Sequence, residues 1–306
     1  MKFNLKLIFL IFNILISILN INGNDLGKKC EELKSKYCDF GFILTNPQNG
    51  KVRLIYNVDM IYRKKYSPGS LLKVFALLSY AKDNKVNIYE THECKGYTEG
   101  EISCWLGAGH GSLDLIKAIA HSCNYYFYYF LKDKLTKKAY YTTLMDFDLY
   151  VDPSLLSMND YDFYITSFGL GVKILVPPVK MIYAYNSIFN GGKLFNDDGD
   201  LIRTIDLDNE VVEILRQGMK ESYLYGTSKI IYLKTGISDV IAKTGTGANI
   251  ISGKTDWRKN VGWIIVLAPG FNPTFGMMVV VERSRSSTAC SIASELINFL
   301  VENKIL

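Results

Sequence analysis

Histidine is scarce in this chain of 306 residues. There are three, His92, His110 and His121, and none lies in the setting a Ser-His-Asp hydrolase would need. No serine sits in a G-x-S-x-G elbow, so that route to a nucleophile is excluded. Arginine-rich clusters of the kind that neutralise phosphates are also missing. The surplus of Lys+Arg 35 over Asp+Glu 30 is small and spread along the chain, which argues against nucleic acid as a partner. Such a balance suits an acidic polymer or an anionic membrane surface. Proline-rich linkers, repeats and low-complexity tracts are lacking, so nothing divides the chain after its first residues. With 48% hydrophobic residues it can bury one large core or two packed lobes around a cleft.

The long apolar run lies at the start, where Lys2 and Lys6 precede Leu7 to Leu19, interrupted by Asn13 and Ser17. That run is short for a bilayer span and reads as a secretory signal. Residues 1–23 are therefore expected to be a signal peptide, or an N-terminal anchor, since Ile21 fits poorly before a cleavage at Gly23. The rest, 24–306, is expected to be one exported domain, in the periplasm or at the outer face of the cytoplasmic membrane.

Export to an oxidising compartment predicts local disulfides between Cys30 and Cys38 and between Cys94 and Cys104, with Cys123 and Cys290 buried or free. The competing arrangement is a zinc site built from His92, Cys94, Cys104 and His110. Zinc spacing normally uses two tight ligand pairs, so no metal is expected, and no cofactor.

Short strand signals at Phe42 to Leu44 and Val52 to Tyr56 flank an Asn46-Pro47-Gln48-Asn49-Gly50 turn. Helical patterns follow from Ser70 to about Lys85, from Ser112 through Phe130, from Val179 to Phe189 and from Asp208 to Glu221. Val240 to Lys243, Val261 to Leu267 and Phe275 to Glu282 then read as strands, and Ser286 to Val301 as a closing helix. The expected class is α+β, an antiparallel sheet from N- and C-terminal segments with flanking helices and an inserted helical lobe.

Three short motifs carry chemistry. In Ser70-Leu71-Leu72-Lys73, after the turn-forming Pro68-Gly69, the hydroxyl and the amine share a helix face. Apolar neighbours, Leu71, Leu72, Val74 and Phe75, and a second cation, Lys243, would disfavour the charged form of Lys73 and make it a base for Ser70. Ser122-Cys123-Asn124 offers a hydroxyl to relay a proton and an amide to hold a substrate. Lys243-Thr244-Gly245-Thr246 ends a strand-like run. There Lys243 and the threonine hydroxyls can hold a carboxylate, while Gly245 lets a substrate backbone approach. The backbone N–H groups of Ser70 and Thr246 would form the oxyanion pair. A second Lys234-Thr235-Gly236 lacks the following threonine and reads as a loop coincidence.

Taken together, these motifs resemble the transpeptidase domain of class B penicillin-binding proteins, in the serine β-lactamase and D,D-peptidase superfamily. The resemblance covers roughly Gly41 to Leu300. It extends to Gly109-His110-Gly111, Phe168-Gly169-Leu170-Gly171, Asn190-Gly191-Gly192, Gly226-Thr227 and Val261-Gly262-Trp263. It implies that Ser70 forms an acyl-enzyme with Lys73 as base and that Ser122 shuttles a proton to the leaving amine. It also implies that Asn124 orients the peptide and that Lys243, Thr244, Gly245 and Thr246 form the substrate side. The implied partners are peptidoglycan stem peptides, with β-lactams as covalent inhibitors. Class B members usually carry a further N-terminal module, for which this chain has no room, and this departure puts pairing with polymerising partners in doubt.

The closest rival is a β-lactamase. No glutamate occurs between Glu101 and Glu210, where a class A enzyme would need its water-activating residue. Class D enzymes carboxylate the motif lysine and usually have Val where this chain has Asn124. A slow β-lactam sensor is the other rival, and it would normally need a membrane helix and a signalling region.

Overall fold

The computed structural model describes residues 23–96, 102–251 and 254–305. The apolar leader expected over the first residues lies outside them, apart from Gly23, which opens a helix. Among the described residues no helix is long and apolar enough to cross a membrane.

The chain opens with α1 (Gly23–Lys36), then the hairpin β1 (Phe40–Thr45) and β2 (Val52–Tyr56). A 3-10 turn at Gly69–Leu71 leads into α2 (Leu72–Asp83), followed by β3 (His92–Cys94) and β4 (Gly111–Leu113). The helical segment continues with α3 (Leu115–Ala120), α4 (Asn124–Leu131), α5 (Lys137–Asp146), α6 (Asp160–Ser167) and α7 (Pro178–Phe189). After the small hairpin β5 (Lys193–Phe195) and β6 (Leu201–Thr204) come α8 (Asn209–Leu224) and α9 (Lys229–Thr235). The chain closes with β7 (Ile241–Ile251), β8 (Lys254–Ala268), β9 (Phe275–Glu282) and α10 (Ser286–Glu302).

The main sheet has the order β2-β1-β9-β8-β7, antiparallel throughout. Period-2 alternation splits its side chains between two cores. Phe40, Phe42, Leu44, Ile264, Val266, Met277, Val279 and Val281 face one core, where Leu26, Cys30 and Leu33 of α1 meet Ile292, Ala293 and Leu296 of α10. Ile43, Trp263, Ile265, Met278 and Val280 face the other, with α2, α7 and the helical lobe. Both faces being covered explains why residues 261–267 of β8 and 275–281 of β9 are nearly continuous apolar runs. The expected α+β architecture, with terminal segments in the sheet and helices inserted between them, is the one found.

One expected element is broken. Ser112 through Phe130 is not a single helix, because α3 stops at Ala120 with a hydrogen-bond closure in which Cys123 N–H donates to Ala118 O and Ser122 N–H to Ile119 O. This is the Schellman pattern, which needs a left-handed residue just beyond the helix, and Ser122 fills that place with φ 52°. Glycine would take it without strain. A serine there costs roughly 1 kcal/mol and is held by its surroundings. Cys123 then caps α4, its Sγ accepting from Tyr126 N–H.

The predicted disulfides do not form. All six cysteines are free thiols, and the expectation for Cys30 with Cys38 and Cys94 with Cys104 is corrected accordingly. Lys234-Thr235-Gly236 is the end of α9, with Gly236 as its left-handed cap, φ 68°, and not part of the site.

Candidate active site

Ser70 lies in the 3-10 turn that starts α2, one turn ahead of Lys73. The turn is pressed against β7 at backbone distance. A Cβ on Gly245 would sit 2.4 Å from Pro68 O, and one on Gly247 would sit 1.9 Å from Ser67 O. Gly69, at φ 58°, would bring a Cβ to 2.3 Å from Thr246 O, and Gly169, at φ 97°, to 2.0 Å from Gly69 O. Only glycine fits these contacts, and they set the Ser70 turn beside the K-T-G strand. Trp263 Nε1–H donates to Ser67 O at 3.0 Å, and Tyr185 O–H to Leu71 O at 2.9 Å, fastening the turn from behind.

Lys73 is the hub. Its Nζ donates to Ser70 Oγ at 2.8 Å, to Asn124 Oδ1 at 2.7 Å and to Ser122 O at 3.0 Å. Lys243 Nζ donates to Ser122 Oγ at 2.9 Å and to Thr244 O at 3.0 Å. The Schellman turn thus places the Ser122 hydroxyl between two amines, 2.9 Å from Lys243 and 3.5 Å from Lys73. Ser70, Lys73, Ser122, Asn124 and Lys243 form one hydrogen-bonded cluster contributed by a helix, a helix-helix junction and a strand.

Both lysines are buried, Lys73 at 1% exposure and Lys243 at 0%. Burial disfavours an uncompensated ammonium. It lowers Lys73 from 10.5 to about 8, against a smaller opposing pull from the Cys104 and Cys123 thiols. Lys243 is pushed well below its ordinary value, by burial first and by the charge of Lys73 second. The apolar walls differ in part from those expected, since the rings of Phe127 and Phe168 lie 5.5 and 5.8 Å from Lys73 Nζ.

The threonines divide their work. Thr246 exchanges hydrogen bonds with Ser286, its Oγ1 donating to Ser286 Oγ at 3.1 Å and accepting from Ser286 N–H at 3.2 Å. Thr244, expected on the substrate side, turns inward: its hydroxyl donates to Thr227 Oγ1 at 2.7 Å, which lies 3.2 Å from Ser222 Oγ. Ser222 in turn meets Ser228 Oγ at 3.0 Å. This hydroxyl chain ties β7 to the end of α8, and sequence reasoning missed its chemistry although Gly226-Thr227 stood out as a motif. Among the described residues a further group, Cys94, Cys104, His110 and Cys123, has the ligand atoms a metal ion would need.

The family model of the penicillin binding protein transpeptidase domain matches residues 40–302. The chain is 22% identical to the stage V sporulation protein D of Bacillus subtilis (strain 168) over 314 residues, covering 86% of this chain and 48% of that protein. It superposes on the penicillin-binding protein PBP2 of a Helicobacter pylori complex with MreC at a TM-score of 0.77 and 20% identity, covering 92% of this chain and 63% of that one. It also superposes on the transpeptidase domain of Burkholderia pseudomallei penicillin-binding protein 3 at a TM-score of 0.74 and 18% identity, covering 90% and 92%. The chain belongs to the family of penicillin binding protein transpeptidase domains. It spans about half the length of the sporulation protein it matches, 48%.

Proposed function

We propose that this chain is an exported, penicillin-sensitive serine acyltransferase acting as a D,D-transpeptidase or D,D-carboxypeptidase on the stem peptides of peptidoglycan. The observation that carries the reading is the 2.8 Å contact between Lys73 Nζ and Ser70 Oγ at the head of a buried helix, facing Lys243 across Ser122. The neutral Lys73 amine takes the Ser70 proton as Oγ bonds to the carbonyl carbon of the penultimate D-alanine. The carbonyl electrons move onto oxygen, which the N–H groups of Ser70 and Thr246 receive. Collapse breaks the C–N bond, and the departing D-alanine amine takes a proton through the Ser122 hydroxyl. Asn124 orients the peptide. Lys243 and Thr246 hold the terminal carboxylate, while Thr244 fastens the strand to Thr227. An acceptor amine, or water, then opens the Ser70 ester. β-Lactams enter the same path as covalent inhibitors.

Discrimination from a class D-like β-lactamase rests on Lys73. A carboxylated lysine would set an anionic acceptor against Asn124 Oδ1 and Ser122 O, the two acceptors that its amine now satisfies at 2.7 and 3.0 Å. The test is covalent labelling by a fluorescent penicillin, which Ser70→Ala should abolish. Labelling that survives in the variant rejects the nucleophile. Mass analysis of products from defined stem peptides then separates cross-linking from trimming, and rapid turnover of nitrocefin would favour the β-lactamase.

A further inference from the structure

Beside the catalytic cluster, the β3–β4 hairpin and the Ser122 turn converge on a second set of side chains. Cys94 ends β3, Cys104 and His110 belong to the connection between β3 and β4, and Cys123 stands between Ser122 and Asn124. His110 Nδ1 is 3.5 Å from Cys94 Sγ and 3.4 Å from Cys104 Sγ, and Cys104 Sγ is 3.8 Å from Cys123 Sγ. The four ligand atoms all lie within 4.8 Å of one another, and the three cysteines are buried. A disulfide needs its sulfurs roughly 2.05 Å apart, so the 3.8 Å pair is not one. Tetrahedral zinc, with bonds of about 2.3 Å to sulfur and about 2.0 Å to nitrogen, separates its ligands by roughly 3.8 Å S to S and roughly 3.5 Å S to N. The observed contacts match those separations.

The backbone is shaped to hold this set. Gly96 and Gly109, at φ 82° and 78°, pack backbone against backbone. A Cβ on Gly96 would lie 2.1 Å from Gly107 O, and one on Gly109 would lie 2.2 Å from Cys94 O. His110 N–H donates to Cys94 O at 3.0 Å, and Cys104 N–H to Gly96 O at 3.2 Å. His92, a ligand in the zinc arrangement read from the sequence, is occupied elsewhere, its Nε2 3.0 Å from Glu90.

We propose that Cys94, Cys104, His110 through Nδ1, and Cys123 bind one zinc ion as a closed structural site, and that this clamp holds the Ser122-Cys123-Asn124 turn in place against the β3–β4 hairpin. Four protein ligands leave no open position, so the ion takes no part in the acyl transfer. Each thiol releases its proton to solvent on binding, leaving three thiolates and a neutral imidazole around the ion. The ligand Cys123 adjoins both Ser122 and Asn124, so the clamp acts on catalysis by positioning them.

Plasma mass spectrometry on the purified full chain should find one zinc per chain. Cobalt(II) in place of zinc should give intense visible d–d bands with a thiolate-to-metal charge-transfer band. Cys94→Ser and His110→Ala should lose the metal, whereas His92→Ala keeps it. Stripping the wild-type chain with a chelator should slow labelling by fluorescent penicillin about tenfold or more, with recovery on adding zinc. If the ligand variants do not fold, the cobalt spectrum of the wild-type chain decides. A purified chain without stoichiometric metal whose cobalt form lacks the charge-transfer band overturns the proposal. So does non-reducing mass analysis that finds these thiols joined as a disulfide. Metal content is read without substrate, so its outcome is separate from that of the acyl-transfer reading.

Discussion

Lys73 Nζ bonds Asn124 Oδ1 at 2.7 Å and the Ser70 hydroxyl at 2.8 Å at the same time. The amide therefore holds the amine against the Ser70 hydroxyl, which gives the Ser122-Cys123-Asn124 turn a positioning role in the proposed acyl transfer. Asn124→Ala should lower the acylation rate by about tenfold or more with little loss of penicillin binding before acylation. Stopped-flow acylation over a range of drug concentrations separates the two, and an unchanged rate would remove Asn124 from the positioning role.

Lys73→Met keeps an unbranched side chain, one atom shorter, and removes the proposed base. A positioned base contributes roughly 10²–10⁴-fold, and acylation should fall by that order while the chain stays folded. Near-wild-type labelling kinetics in a folded variant would mean that another group takes the proton.

With Lys73 lowered by burial to about 8, acylation should rise with pH through about 8 and level off above it. Stability should follow the same group with a definite sign. Between about 8 and the ordinary 10.5 the unfolded chain holds the lysine proton and the folded chain has released it. The unfolded state then binds more protons, so the contribution of Lys73 to stability grows as pH rises through that window and is smallest below it. Lys243 acts in the same direction. Acylation rates and urea midpoints measured across this range would contradict the assignment if both were flat.

Thr227→Val breaks the link from Thr244 Oγ1 to Thr227 Oγ1 and leaves the Thr244 hydroxyl buried without that partner. The cost should be about 1–2 kcal/mol in stability, with a several-fold loss of acylation efficiency. Thr227→Ser, which restores the hydroxyl, should recover most of both. Equal behaviour of the two variants in thermal unfolding and labelling would show that the hydroxyl chain carries nothing.

The two Lys-Thr-Gly tripeptides give a direct comparison. Gly245→Ala must fit a Cβ 2.4 Å from Pro68 O and should abolish labelling, whereas Gly236→Ala meets open space and costs only the strain of its left-handed backbone, roughly 1 kcal/mol. Labelling lost in Gly236→Ala and kept in Gly245→Ala would reverse the assignment.

Much of this molecule was legible from one dimension because its signals are local. Apolar runs with β-branched residues marked β8 and β9, helix periodicity marked α2 and α10, and the spacing of Ser70 and Lys73 put two groups on one face before any fold was known. Export and the leader, by contrast, rest on residues that lie outside those described.

What only the tertiary structure decided are the meetings between distant segments. The helical run around Ser122 carries a helix-breaking spot, but the left-handed serine itself is set by the Schellman closure and by Lys243 reaching across from β7. The fate of the thiols was misjudged for the same reason: Cys123 lies far along the chain from Cys94, and only folding brings it to the other two. Local propensity is written residue by residue, but the cluster of Ser70, Lys73, Ser122 and Lys243 and the grouping of Cys94, Cys104, His110 and Cys123 depend on distances between side chains that packing alone brings together.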